Sequence, residues 1–264
     1  FYTPVARVAF PMSLSLAPET GRTGNLFLDT LGTASAELLL PQLERVSLPS
    51  SAPIAYPGTP LEYVIFPLGS VVSAVTTMLD GTDVEVTLVG RDGLYGVQVA
   101  LGDDESSGSA MVQIPGPLFR IASARFRDAL VADSALNERV LRYTQATLVT
   151  VAQCSGCNRL HPTNERCARW LLMAHDRVPA DEMLLTHEYL ATMLGVRRHG
   201  VSLAAAALEQ AGFIEYHRGR IVMRNRAGLE QTACECYAAA NGALERLLGY
   251  DVRKRSKGRS AFGS

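Results

Sequence analysis

No cysteine occurs before Cys154 and no histidine before His161. A β-barrel metalloenzyme of the cupin type needs a histidine cluster inside its barrel, so the β-rich first half of this chain cannot be one. Also missing are a GxSxG elbow, a phosphate-binding glycine loop and a metalloprotease HExxH pair. No apolar run reaches the roughly 20 residues required to cross a bilayer, and no membrane partner is expected. The first 24 residues carry Pro11, Pro18 and Glu19. These break any apolar stretch a secretory signal would need, so the segment reads as a loose arm. Five cysteines, an odd number, without a signal peptide point to reduced thiols and a cytoplasmic location.

What is present is an ordinary globular composition, 47% hydrophobic and 19% charged over 264 residues, with room for two domains. The net charge of −1 conceals a split. Residues 1–150 hold 9 Lys+Arg against 15 Asp+Glu (−6), and residues 151–264 hold 16 against 11 (+5). A basic half suggests a polyanionic partner. The tail "RKRSKGR", Arg253–Arg259, carries five of those cations, so charge by itself decides nothing and geometry must.

Residues 25–46 read as one or two short helices. Gly58, Gly69, Gly81 and Gly93 then punctuate short runs rich in Val, Ile, Thr, Phe and Tyr, the mark of a β sandwich or barrel over about 48–122. In "VVSAVTTMLDGTDVEVTLVG", Asp80–Gly81 is a favoured hairpin turn. Val84, Val86 and Leu88 alternate with Glu85 and Thr87, which predicts one buried and one wet face. From Ser123 to about Val151 the period becomes helical, with Phe126, Leu130, Val140, Thr144, Thr147, Leu148 and Val151 near one stripe. A helix of that length between two domains predicts a homodimer seam. "NERCARWLLMAH" is a further helix, and "RVPADEMLL" reads as a connection.

The stretch "LTHEYLATMLGVRRHGVSLAAAALEQAGFIEYHRGRIVM" holds the chemistry. Thr186 is placed to cap a short helix, Gly195 to permit a sharp turn, and a second helix to run from near Arg197 to about Gln210. Two short helices joined by a glycine turn make a helix-turn-helix. Val201, Ala204, Ala205 and Leu208 share the inward face. Arg197, Arg198, His199, Ser202 and Leu203 are left for the outer side, with the arginines at the end that would enter a DNA major groove. An arginine fork matches guanine N7 and O6. "FIEYHRGRIVM" reads as a hairpin wing whose Arg218 and Arg220 suit phosphates. Double-stranded DNA is the expected partner.

In this order of elements the chain resembles the Crp/Fnr family of bacterial transcription regulators over roughly Asn25 to Arg226. The resemblance implies an α+β fold: a cyclic-nucleotide-binding-like β-roll, a long dimerisation helix and a C-terminal winged helix-turn-helix. It divides the chain into an arm at 1–24, a β-roll at 25–122, a dimerisation helix at 123–155, a DNA-binding domain at 156–226, and a helical extension with basic tail at 227–264. By the same resemblance Arg198 matches a guanine-reading arginine and Thr186 a phosphate-contacting position. His199 stands where many members have glutamate, and Leu203 where the cyclic-AMP receptor protein has a second base-reading arginine. The expected operator is therefore a different near-palindrome with a guanine in each half-site. RNA polymerase and an unidentified small-molecule effector are the other partners the resemblance admits.

The effector pocket is expected around Tyr95, Gly96, Val97, Ser107 and Ser109. Cyclic-nucleotide binders of the family have glutamate after the glycine and an arginine for the phosphate. Here Val97 follows Gly96, serine or glycine replaces the arginine, and Asp103, Asp104 and Glu105 lie close. An anionic phosphate without its cation binds poorly, so the usual cyclic nucleotide is not expected. Cys154, Cys157, Cys234 and Cys236 raise an iron–sulfur or zinc site. The family's oxygen sensor places its ligands mostly before the β-roll, and Cys234 and Cys236, read as one apart on a helix, would point in different directions. Reduced structural thiols and no cofactor are the expectation. A redox- or metal-responsive regulator and a constitutive architectural DNA-binding dimer are the alternatives, and no enzymatic activity is expected.

Overall fold

The computed structural model describes residues 22–254. All but the last residues of the expected N-terminal arm, and the basic tail beyond Lys254, lie outside the described residues.

Two short helices, α1 (Leu26–Asp29) and α2 (Thr33–Leu39), lead into seven strands. These are β1 (Glu44–Leu48), β2 (Pro53–Ala55), β3 (Tyr63–Pro67), β4 (Val71–Thr77), β5 (Asp83–Val89), β6 (Ser109–Ile114) and β7 (Gly116–Ala122). They form two antiparallel sheets, β1-β7-β3 and β2-β6-β4-β5. Phe27, Phe66, Phe126, Leu118 and Ile121 fill the space inside, with Phe66 and Phe126 edge to face at 6.0 Å. Asn25 fixes the entry: its side chain caps α1 and donates to the carbonyls of Pro67 and Gly93, both at 2.8 Å.

The alternation read along β5 fails at one point. Ala74 pairs with Thr87 and Val75 with Glu85, so Val86 is an extra residue. A bulge of this kind reverses the parity of the strand. Glu85, assigned to a wet face, instead accepts hydrogen bonds from Ser73 (2.8 Å) and from the Trp170 indole of the C-terminal domain (2.7 Å). Leu88 joins the same interdomain core.

The single helix expected from Ser123 is two. α3 (Ser123–Ala132) stops at Asp133, whose carboxylate then caps α4 (Ser134–Leu160) by accepting from the Ala135 and Leu136 amides. α4 has 27 residues, about 40 Å at 1.5 Å per residue, and ends at Leu160 rather than near 151–155. Its expected stripe also divides. Val140 and Thr144 are buried within the chain, whereas Leu148 is exposed, together with Leu141.

The C-terminal domain comprises α5 (Thr163–Arg177), β8 (Glu182–Leu184), α6 (His187–Leu194), α7 (Arg198–Gln210), β9 (Ile214–His217), β10 (Arg220–Met223) and α8 (Arg226–Thr232). β8 lies in the segment expected to be a plain connection, and it makes the wing three-stranded, in the order β8-β10-β9. Its hydrophobic core continues into Val71, Val75, Leu88 and Ile114 of the β-roll. Around it lie ion pairs. Arg177 and Asp92, both buried, meet at 2.6 Å. Arg226 pairs with Asp176 at 2.7 Å, and Tyr237 donates to the same carboxylate at 2.8 Å.

α9 (Cys236–Leu248) turns back along α4 in the antiparallel sense. Gln153 reaches Cys236 at one end and Arg139 reaches the Leu248 carbonyl at the other. Leu244, Leu248, Tyr250 and Val252 thereby enter the β-roll core. Cys234 and Cys236 are not successive residues of one helix, as expected. The chain leaves helical geometry at Ala233 (ψ 144°) and α9 begins only at Cys236, so both thiols turn to one side. No helix among the described residues is long and apolar enough to cross a membrane.

Candidate nucleic-acid interface

The helix-turn-helix is built by three local devices. Thr186 caps α6, its hydroxyl accepting from the Tyr189 amide at 3.2 Å. Gly195 ends α6 in the left-handed region (φ 58°), which costs glycine little. The amides of Gly195 and Val196 return to the carbonyls of Thr192 and Ala191, so the turn leaves none of these groups unpaired. α7 then buries Val201, Ala204, Ala205 and Leu208 against α5 and its neighbours.

This packing leaves the start of α7 in solvent. Arg197 is its N-cap, and Arg197, Arg198 and His199 are all exposed. Arg198 sits 3.4 Å from Glu188 with 68% of its side chain accessible, a contact weak enough to yield to a nucleic-acid acceptor. Leu203, one turn on, is 60% exposed. Ser202 differs from its expected place. It is half-buried, its hydroxyl donating to the Arg198 carbonyl and lying 3.1 Å from His187 Nδ1. His187 in turn stacks on Tyr216 of the wing at 4.2 Å. Ser202 therefore ties α7 to α6 and the wing. Burial, and secondly the charge of Arg198, hold the His187 pKa below its ordinary value.

The wing turn is Arg218–Gly219, both at positive φ (48° and 77°), joining His217 to Arg220 across a two-residue loop. Arg218 is exposed at the tip. Arg220 is also exposed but is held by Glu182 of β8. The wing reaches α6: the Leu185 amide donates to the Gly219 carbonyl at 2.8 Å, and a β-carbon at Gly219 would stand 3.5 Å from the Thr186 methyl. Thr186 and Arg218 thus share one ridge beside the exposed end of α7.

The expected effector residues differ in their surroundings. Tyr95 is buried and bridges to Ile65, and its hydroxyl lies 3.2 Å from Ser106 rather than from Ser107 or Ser109. Gly96 (φ 112°) is enclosed: a β-carbon there would come within 3.0 Å of Leu61 and 3.1 Å of Val64. Val97 packs half-buried on the same core, Ser107 is exposed, and Ser109 opens β6. Arg127 of α3 pairs with Asp104 in the acidic loop.

A second constellation joins three of the four cysteines raised by the sequence to a histidine that sequence reasoning missed. Cys157, His161, Cys234 and Cys236 bring their ligating atoms within 4.8 Å of one another. The signal that could have found it is Cys157-x3-His161, which puts both side chains on one face of a helix.

Residues 165–232 match the Crp-like helix-turn-helix domain family. No curated protein matches the sequence. Among solved structures, the fold is similar to that of FixK2 from Bradyrhizobium japonicum, at 19% identity and a TM-score of 0.63, covering 73% of this chain and 98% of that one. It is similar to a CRP-family transcriptional regulator from Thermus thermophilus, at 20% identity and a TM-score of 0.59, covering 71% and 95%. It is also similar to the c-di-GMP responsive global regulator CLP of Xanthomonas campestris, at 15% identity and a TM-score of 0.57, covering 73% and 99%. At such identities the likeness is one of fold.

Proposed function

Because this chain carries a Crp-like helix-turn-helix domain and has the fold of Crp/Fnr-type regulators, we propose that it is a sequence-specific transcription regulator. It acts as a homodimer on a near-palindromic operator in the cytoplasm, with no catalytic role. The observation that carries the reading is the exposed N-terminal end of α7. Arg197, Arg198 and His199 project there beside the Thr186–Arg218 ridge, while the opposite face of the same helix is fully buried. Arg198 reads a guanine through N7 and O6, and Thr186, Arg218 and Arg220 position the duplex through phosphates.

Dimerisation is supported by Leu141 and Leu148 on α4. They are 42% and 58% exposed and seven residues apart, the spacing of a coiled-coil seam. Any effector of the β-roll is not the usual cyclic nucleotide. Apolar packing around Gly96 and the acids at 103–105 disfavour a ribose followed by an anionic phosphate.

The test is selection of random duplexes by ligand-free protein. The reading expects a two-fold symmetric site with half-site centres about one helical turn, ~34 Å, apart. Enrichment of asymmetric sites, or of no site both with and without candidate effectors, would refute it.

A further inference from the structure

Three sulfurs and an imidazole gather where α4, α8 and α9 meet. Cys157, Cys234 and Cys236 are buried together as a group of their own, apart from both hydrophobic cores. None is in a disulfide. With His161 they make three thiols and one imidazole from three elements: the last turn of α4, the α8–α9 link and the first residue of α9.

Their spacing is that of a single tetrahedral ion. With Zn–S of about 2.3 Å and Zn–N of about 2.05 Å, tetrahedral angles put two sulfurs about 3.8 Å apart and a sulfur and a nitrogen about 3.6 Å apart. Cys157 Sγ and Cys234 Sγ are separated by 3.5 Å, as are Cys236 Sγ and His161 Nδ1. All the ligand atoms fall within 4.8 Å. An iron–sulfur cluster divides its four ligands over two or four irons and spreads them farther than one ion does.

The surroundings suit this ion. His161 Nε2 lies 3.2 Å from the Glu235 carboxylate, so Nε2 carries the proton and Nδ1 turns its lone pair to the cluster. That is the carboxylate–histidine–zinc arrangement of many zinc sites. Gln153 donates to Cys236 at 3.2 Å, and Cys236 sits at the positive end of the 13-residue α9. Three thiolates and Zn²⁺ leave one negative charge. Buried Arg166 and Arg169 stand beside the sulfurs, each with an Nε lacking a hydrogen-bond partner.

We propose that Cys157, His161, Cys234 and Cys236 bind one zinc ion, which clamps the C-terminal extension to the hinge between the β-roll half and the DNA-binding half. The hinge follows from the same residues. His161 caps the end of α4, and Pro162 opens α5. Arg166 joins Asn158 of α4 to the Leu194 carbonyl, one residue before the helix-turn-helix glycine. Zinc thus fixes the angle at which α4 delivers the reading head.

The test uses the full chain, purified anaerobically with reductant, and needs no DNA. Elemental analysis is expected to find one zinc per chain, and chelation is expected to lower Tm and to raise the number of reactive thiols by three. Apo protein titrated with Co²⁺ is expected to show tetrahedral thiolate spectra saturating at one equivalent. Cys154→Ser, which alters a thiol outside the cluster, retains the metal, whereas Cys157→Ser and Cys234→Ser lose it. Glu235→Gln, on a solvent-facing side chain, weakens zinc by about 10–100-fold with an unchanged fold. If the cysteine variants do not fold, the wild-type Co²⁺ titration and Glu235→Gln still decide. No metal uptake by wild type, metal retained by a folded Cys157→Ser/Cys234→Ser double variant, iron with acid-labile sulfide, or a Cys157–Cys234 disulfide under these conditions would each overturn the proposal.

Discussion

Arg198→Ala and Arg218→Asn separate base reading from phosphate contact within one domain. Neither change should unfold the protein. Arg198 gives up only its exposed contact with Glu188, and asparagine tolerates the positive φ of 48° that Arg218 adopts. A bidentate arginine–guanine pair discriminates by about 1–3 kcal/mol. A dimer makes two such pairs, so Arg198→Ala is expected to cost roughly 2–6 kcal/mol, about 30-fold to 2 × 10⁴-fold in Kd, on the selected operator. Affinity for a scrambled duplex should change little. Arg218→Asn removes one phosphate contact per protomer. It should weaken both duplexes alike and flatten the plot of log K against log salt by about 0.9 per contact, about 1.8 per dimer. Fluorescence anisotropy from 50 to 200 mM salt on both duplexes measures all four quantities. If Arg198→Ala instead weakens both duplexes equally and flattens the salt slope, Arg198 is a phosphate contact. The assignment of α7 as the reading helix would then be wrong.

Leu148→Glu places a charge on the exposed seam of α4 and is expected to shift the protein to monomer in light scattering, with operator binding lost. Asp92→Asn strips the buried Arg177 of its partner and should destabilise by about 3–5 kcal/mol in urea unfolding. Gly195→Ala meets only ordinary contact, 3.8 Å from Val84, but must hold φ at 58°; left-handed strain of about 1–2 kcal/mol is the expected loss. Glu85 supplies a pH signature. Burial raises its carboxyl from 4.5 to about 7, despite hydrogen bonds from Trp170 and Ser73 that favour the anion. Between those values the folded state holds a proton that the unfolded state has lost. Its contribution to stability is therefore full below about pH 4.5 and declines as pH rises to 7, by a total on the order of 3 kcal/mol. Glu85→Gln should remove that slope, read as the difference between wild-type and variant unfolding free energies at pH 5 and pH 8. Identical slopes would show the carboxyl to be solvated.

Local grammar made the reading head legible. The Thr186 cap, the Gly195 turn and the inward set Val201, Ala204, Ala205 and Leu208 are each specified within a few residues, and they fall within a residue of their expected places. The β4–β5 hairpin was legible for the same reason. What failed was any pattern whose meaning depends on a neighbour far away in the chain. One inserted residue at Val86 reverses the parity of β5, and no composition rule foretells a bulge. Asp133 interrupts a helical period that runs on through it, because its carboxylate can cap the next helix as readily as continue the last. β8 is three residues long and is a strand only because β10 lies beside it.

The α4 stripe shows the cost of reading one helix by itself. Val140, Thr144 and Leu148 share a spacing that suits a dimer seam, but a stripe says only that a face is covered, never by what. Val140 joins the core shared by the β-roll and α9, and Thr144 is also buried within the chain, whereas Leu141 and Leu148 are exposed. The placement of Cys234 and Cys236 was misread by the same route. Assigning Cys234 and Cys236 to one helix sent them apart. The break at Ala233 lets both turn toward Cys157 and His161, whose own i, i+4 spacing was visible but lacked a visible partner. A side-chain cluster assembled from the end of one helix and the start of another therefore has a sequence signature only in halves. The second half becomes readable once the reversal of α9 along α4 is known.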